Sequence, residues 1–305
     1  MTVTAGSALL LNVGVPMMEQ MPLSAEVIRS LQPYDIRVLH AIERLMRRFE
    51  WVPLDELKAA TRFSESELNY RIGRVMERDL VRYAKVPYEG YSLVFNGLDS
   101  LALRTLSSKG TVRALGDLIG EGKESIVYEG LGLAPVAIKL HHVGQRSFQS
   151  VRLNRDYLPE RTHCPWLYAS HLSAKREYEA LTNLSLAVSV PAPIAIDRHA
   201  VVMDLIGGTT LNRRRIDDPE PVIDRIFENV RAAYKHGAIH NDLSEYNVMI
   251  DEDRVVLIDW PQWVPPDHPN ALAILTRDLF NIVTFFARKY RVVRDLDEVV
   301  ESVLR

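Results

Sequence analysis

The sequence predicts an α+β chain in two parts: a small helical module closed by a β-hairpin, then a larger domain with strands first and helices after. Three observations carry this. Apolar residues recur at helical spacing between Ser24 and Arg78, a strand–turn–strand pattern follows at once, and after Gly110 short β-rich runs give way to helical periodicity from Ala174 onwards. The 305 residues, 47% hydrophobic and 25% charged, suffice for two globular units and exclude disorder throughout.

A formal charge of -3 gives the whole chain no pull towards nucleic acid or anionic membrane, so any such partner must be met by a local patch. Cys164 is the one cysteine, which excludes an intrachain disulfide and fits a plain thiol in a reducing compartment. The longest apolar start, Ala8 to Val15, follows no Lys or Arg and is too short to span a bilayer. A cytoplasmic protein without a membrane partner is expected.

Residues 1–22 hold no lysine or arginine and show no period, so they read as a loose tail. Ser24 then caps a helix over Ala25–Leu31, and Pro33 starts a second through Arg48 with Ile36, Leu39, Ile42 and Leu45 on one face. A third short helix follows Pro53 and turns Leu54 and Leu57 inwards. Ser64 caps a fourth through the box Ser64-x-x-Glu67, placing Leu68, Ile72, Val75 and Met76 inside. Strands Val81–Val86 and Tyr91–Phe95 flank a Pro-Tyr-Glu-Gly turn. Three helices and then a β-wing is the order of a winged helix-turn-helix, here residues 23–96.

Such a module suggests nucleic-acid contact through the fourth helix, where Arg71, Arg74 and Arg78 recur at helical spacing. Glu65, Glu67, Glu77 and Asp79 share that stretch, and residues 1–96 hold 12 basic against 12 acidic side chains. Electrostatics therefore demands no nucleic acid, and a structural or protein-docking role stays open.

A linker over 97–110, with a helix from Leu98 to Leu106, leads to the second domain at 111–305. Its N-lobe, about 111–203, holds strands Val112–Leu118, Ile126–Leu131 and Pro135–Leu140, a helix over Ser173–Leu184 and the strand Ala200–Asp204. A flexible insert is expected at about 143–172, and a C-lobe at about 204–305.

The chemistry begins at the turn between two strands, where Gly120, Glu121, Gly122, Lys123, Glu124 and Ser125, with Val127, form a candidate nucleotide cradle. Glycines let a backbone approach phosphates without a Cβ in the way. The stretch is no Walker A loop, since Asp117 stands at the first glycine and Glu124 follows Lys123. Ser125 also replaces the third glycine of GxGxxG, and Gly-x-Gly alone is common in plain hairpins. Val136-Ala137-Ile138-Lys139 adds a strand ending in a lysine suited to α- and β-phosphates, although such a lysine by itself ordinarily snorkels at the surface.

The strongest signal is His240-Asn241-Asp242-Leu243-Ser244-Glu245-Tyr246-Asn247, followed by Ile258-Asp259-Trp260. Its spacing matches H-x-D-x-x-x-x-N and a later metal-binding aspartate. Asp242 would face a hydroxyl nucleophile as catalytic base, while Asn247 and Asp259 would grip Mg²⁺ between phosphates. Each residue alone reads as a turn or cap; loop, lysine, HxDxxxxN and aspartate in this order argue otherwise. Glu177 and Glu179 compete as the acidic partner of Lys139. Met203 is expected to back the adenine, with Asp204 to Ile206 as the hinge.

Gly120 to Ser125, Ala137-Ile138-Lys139-Leu140-His141, Arg155-Asp156-Tyr157, Ser173-Ala174, Arg198 to Met203, Asp242-Leu243-Ser244-Glu245-Tyr246-Asn247 and Ile258-Asp259-Trp260-Pro261-Gln262 together resemble the Rio atypical protein kinases. With its winged helix the chain is similar to the second Rio subtype, over roughly residues 24 to 300. The resemblance implies a trimmed kinase fold that binds ATP and Mg²⁺ and acts in maturation of the small ribosomal subunit. Its partners would be the pre-ribosomal small subunit, with its rRNA and proteins, and RNA met through the winged helix. On the matching positions Lys139 and Glu177 position phosphates, Ser125 and the loop amides cradle them, and Asp242 acts as base. Asn247 and Asp259 hold metal, and Asp259 is also the proposed phosphate acceptor of that family. Trp260 stands where the family usually has Phe.

Only 46 residues follow Asp259 and no Ala-Pro-Glu motif is among them, so peptide docking of the ordinary kinase kind is not expected. The insert carries Arg146, Arg152, Arg155 and Arg161, with Ser147, Ser150, Thr162 and the aromatics Phe148, Tyr157, Trp166 and Tyr168. It reads equally as a flap over ATP, a self-phosphorylation segment, an RNA-contacting surface or a solvated loop. Arg213-Arg214-Arg215 reads as a solvated turn. The expected activity is that of an ATP- and Mg-dependent serine/threonine protein kinase or ATPase. Two rivals remain: a small-molecule kinase of the aminoglycoside or choline type, and a nucleotide-gated binding module without turnover.

Overall fold

The computed structural model describes residues 24–144 and 165–305. The expected tail at 1–22 lies outside the described residues, as do Cys164 and most of the insert, with Arg146, Ser147, Phe148, Ser150, Arg152, Arg155, Tyr157, Arg161 and Thr162.

The N-terminal module packs α1 (Ala25–Ser30), α2 (Pro33–Leu45), α3 (Leu54–Thr61) and α4 (Glu65–Glu77) under a wing made by β1 (Val81–Ala84) and β2 (Gly90–Leu93). The caps are where side-chain chemistry puts them: Ser24 Oγ accepts from Val27 N–H and Ser64 Oγ from Glu67 N–H, each at 3.3 Å. The helix α2 ends at Leu45, three residues short of the expected Arg48. Met76 is not inside but 38% exposed, because Leu68, Ile72 and Val75 already form the buried stripe of α4. The three arginines of α4 are also engaged. Arg71 and Arg74 converge on the fully buried Asp35 of α2 at 3.2 and 3.0 Å, and Arg78 Nε donates to Ser30 Oγ at 3.0 Å. Those charges close the module instead of facing outwards.

Next comes α5 (Phe95–Ser108), which starts three residues earlier than expected and is buried along most of its length. Beyond it β3 (Ala114–Glu121), β4 (Ser125–Leu131), β5 (Pro135–His141), β6 (Pro193–Asp197) and β7 (Ala200–Asp204) form one antiparallel sheet in the order β3-β4-β5-β7-β6. The helix α6 (Pro165–Leu184) precedes β6 and begins inside the range expected for the insert. Strand alternation divides the work. Val136, Ile138, Leu140, Ala200 and Val202 join the core of the N-terminal module. Ala137, Val201 and Met203 face the opposite way, into the second core. Arg198, in the β6–β7 turn, clasps Glu43 of α2 through both carboxylate oxygens at 2.6 and 3.1 Å.

The C-lobe contains a three-stranded sheet of β8 (Thr209–Thr210), β9 (Val248–Asp251) and β10 (Arg254–Leu257), with α7 (Glu220–Lys235), α8 (Ala271–Tyr290) and α9 (Leu296–Leu304). Arg213, Arg214 and Arg215 lie exposed in a turn after β8. Among the described residues no helix is long and apolar enough to cross a membrane.

Candidate active site

Lys139 lies on β5 opposite Val127 of β4 and Val201 of β7, so all three share the sheet face that looks towards α6. The β3–β4 turn is closed by Gly122 N–H donating to Ser125 O at 2.8 Å. Glu121, Gly122 and Lys123 are exposed at its tip, while Glu124, Ser125 and Val127 are half-buried. Met203 pairs with Ala137 at the end of β7 and is buried on the same face. Past it the chain leaves the sheet. Asp204 gives its N–H to Ala192 O at 3.0 Å, and Leu205 and Ile206 follow outside the strand, where the hinge was expected.

Lys139 Nζ is 2.7 Å from Glu177 Oε1 and 2.7 Å from Asp259 Oδ1. Of the two competing glutamates, Glu177 is therefore the partner. Glu179 is half-exposed and pairs with Lys175 one turn away. Burial alone would raise the Glu177 carboxyl, but Lys139 and His141 hold it down to about 2. Burial likewise opposes the charge on Lys139, yet the carboxylates of Asp259 and Glu177 outweigh it and raise the ammonium above its ordinary range.

The loop 240–247 is held from three sides. His240 Nε2 meets Ile258 O at 2.9 Å, and its ring lies 4.5 Å from that of Trp260. Asn241, at φ 66°, donates its N–H to Asp278 Oδ2 at 2.7 Å, and Asn281 Nδ2 donates to Leu243 O at 3.0 Å. Asn247 Nδ2 donates to Asp242 O at 2.8 Å. Ile258 N–H donates to Asn247 O at 2.9 Å, which sets Asn247 beside the strand end carrying Asp259. Asp259 itself sits at φ 70°, a left-handed conformation that costs an aspartate about 1 kcal/mol or more. Asp242 is raised above the ordinary aspartate value, by burial first and then by Asp259 and Asp278, against the pull of His240 and Arg277.

Lys139, Glu177, Asp242, Asn247 and Asp259 are thus brought into one cleft between the sheet and the C-lobe. With Asn247 Nδ2 committed to Asp242, its Oδ1 remains as a hard oxygen donor next to the Asp259 carboxylate, a set suited to Mg²⁺. Sequence reasoning missed Asp278, 1% exposed, which anchors the loop from α8. A signal existed: Asp278 interrupts the apolar stripe of Leu275, Leu279 and Ile282. It also missed His141, whose Nε2 lies 2.7 Å from Glu177 Oε2 and whose Nδ1 lies 2.9 Å from Ser173 Oγ.

Comparison with known proteins finds matches to both parts of the chain. A RIO domain matches residues 125–299, and a Rio2 N-terminal domain matches residues 28–109. The RIO-type serine/threonine-protein kinase Rio2 of Methanocaldococcus jannaschii is 38% identical over 85% of this chain and 100% of its own length. Rio2 of Saccharomyces cerevisiae is 36% identical over 89% of this chain and 67% of its own length. The crystal structure of an ADP/Mg²⁺-phosphoaspartate complex of Rio2 kinase from Chaetomium thermophilum superposes with a TM-score of 0.78 at 31% identity, covering 92% of this chain and 89% of that one.

Proposed function

We propose a working cycle for this chain, which belongs to the Rio2 subtype of the Rio family of atypical serine/threonine protein kinases: it binds ATP with Mg²⁺ and couples phosphoryl transfer or hydrolysis to a step in small ribosomal subunit maturation. The observation that carries the chemistry is the meeting of Lys139, Glu177 and Asp259 at 2.7 Å contacts beside the Asp242–Asn247 pair.

Adenine enters between Val127 and Met203 and is read by the backbone of Asp204 to Ile206. Phosphates lie against the amides of the Gly120–Ser125 turn and against Lys139, which Glu177 keeps charged and aimed. Asn247 and Asp259 would hold Mg²⁺, which supplies charge neutralisation on the phosphate oxygens. Asp242 accepts the proton of the attacking hydroxyl or water. Its raised pKa makes it a better base than an exposed aspartate.

The Asp259 side chain is 39% exposed, whereas those of Lys139 and Glu177 are 8% and 2% exposed. Asp259 is the reachable carboxylate of the trio, which supports a second reading of the same site, transient phosphoryl uptake on Asp259. The bond formed would be an acyl phosphate, and the leaving group would be ADP.

Cytoplasmic small-subunit precursors are the proposed partner, and the support is subtype membership. The test is single turnover with γ-labelled ATP for the wild type and Asp242→Ala, with nucleotide binding measured in parallel. Loss of turnover with binding retained supports the cycle. Undiminished turnover in the variant would sink it, and tight Mg-ATP binding without any wild-type turnover would make the chain a nucleotide-gated module. Hydroxylamine-labile label on Asp259 separates the second reading. Cosedimentation with small-subunit precursors tests the partner.

A further inference from the structure

We propose that Asp99, His142 and His199 form a binding site for a divalent transition metal of the zinc class, buried between the N-terminal module and the five-stranded sheet. The three residues come from three segments: Asp99 from α5, His142 from the residue after β5, and His199 from the residue before β7. All are buried, at 0%, 3% and 0% exposure. Their donor atoms lie within 4.8 Å of one another, with His142 Nε2 at 2.9 Å and His199 Nε2 at 2.6 Å from Asp99 Oδ1.

Hydrogen bonding alone leaves this cluster short of positive charge. Both imidazoles must give their Nε2 protons to one carboxylate oxygen, and the second, Asp99 Oδ2, then has no partner. His199 Nδ1 is also without one, and so is Nε2 of His171, whose ring stacks on His199 at 6.4 Å. A bare oxygen on a fully buried carboxylate that faces two imidazoles is what a cation satisfies. Two imidazole nitrogens and a carboxylate are a borderline donor set that selects zinc-like ions over magnesium. Metal–ligand bonds of about 2.0–2.2 Å need donor separations near 3.3 Å, so the trio opens by only about half an ångström. Asp99 Oδ2 completes the set as a bidentate carboxylate. The missing acceptor for His199 Nδ1 weakens the site by about 10–100-fold relative to a fully supported one. The ion would tie α5 to the end of β5 and the start of β7.

The test uses the full chain, dialysed against EDTA and then titrated with Zn²⁺ or Co²⁺ in excess Mg²⁺. About one equivalent of metal is expected by elemental analysis, with visible Co²⁺ d–d bands and a Tm that rises with Zn²⁺. Asp99→Asn, His142→Gln and His199→Gln should each abolish the bands. No bound metal, no Co²⁺ bands and an unchanged Tm in the wild type would overturn the site. Bands that persist in all three variants would overturn it as well.

Discussion

Lys139 and Asp259, 120 positions apart, meet at 2.7 Å, and the same ammonium holds Glu177 at 2.7 Å. One lysine therefore binds together the N-lobe helix and the strand end of the C-lobe that carries Asp259. Lys139→Met should lower single-turnover phosphoryl transfer by about 10²-fold or more. It should also destabilise the fold by about 3 kcal/mol in urea unfolding, because Glu177 stays buried without its counter-charge. Asp259→Asn should lose activity comparably while shifting stability by about 1 kcal/mol or less, since that carboxylate is partly solvated. Equal stability losses in the two variants would contradict this division.

His141 is a positioning residue in the same chain of contacts, with Ser173 on one side and Glu177 on the other. The 2.7 Å approach of its Nε2 to Glu177 Oε2 helps hold that carboxylate in place beside Lys139. His141→Gln should therefore reduce kcat by about tenfold or more while KM for ATP moves little. A change confined to thermal stability, with kcat intact, would assign His141 to packing alone.

Asp242 gives a pH prediction. Burial and the neighbouring carboxylates raise its pKa, so its neutral acid form persists to higher pH than in an ordinary aspartate. The base form appears above that raised value, and kcat/KM should rise with pH along an acidic limb displaced upward from 3.8. Asp242→Asn removes the limb along with the activity. A limb that survives in residual Asn-variant turnover would belong to another group.

The candidate site loop was legible because the expected chemistry demands fixed spacing in the chain: His240 to Asn247 form one loop, and Asp259 follows one hairpin later. Strands β3, β4, β5 and β7 were legible as short β-rich runs, β6 and β8 were not, and the pairing that sets Lys139 and Met203 on one face emerged only with the sheet. The arginines of α4 were not. Arg71 and Arg74 look like a nucleic-acid face in sequence, and only the position of Asp35 on α2, about 36–39 residues away, shows that they point inwards. Glu177 and Glu179 competed on the residues alone and only the resemblance favoured Glu177, since their two-residue offset decides burial only once the rotation of α6 is known. The histidines beside Asp99 carry no period at all.

Glu43 tests the seam between the two parts. Burial would raise its carboxyl, but His40 and the Arg198 fork hold it down to about 2 from 4.5. The folded pKa is depressed, so its contribution is fully present above pH 4.5 and is lost as the pH falls towards 2. That contribution is on the order of 2 kcal/mol. Glu43→Gln should lower stability at pH 7 and flatten this part of the acid-denaturation curve. An unchanged curve would show that the clasp adds nothing.

Asp35 makes the same argument inside the module. It is buried against Arg71 and Arg74, so Asp35→Ala removes the shared partner of two guanidinium groups and should lower the stability of the module. Loss of helical circular dichroism at lower temperature is the readout, and a variant as stable as wild type would mean the arginines relax freely into water.

The sharing of α5 has a consequence for anyone who would dissect the gene product. Leu98, Leu101 and Leu106 lie in one apolar cluster with Leu39 and Ile42 on one side and Ile138, Leu140 and Val202 on the other. A truncation that removes everything before residue 97 would leave α5 on the sheet but strip the cover from its outer side, and the remainder should aggregate. In hydrogen exchange the winged helix and the N-lobe should open together, as a single unit, while the C-lobe opens on its own schedule.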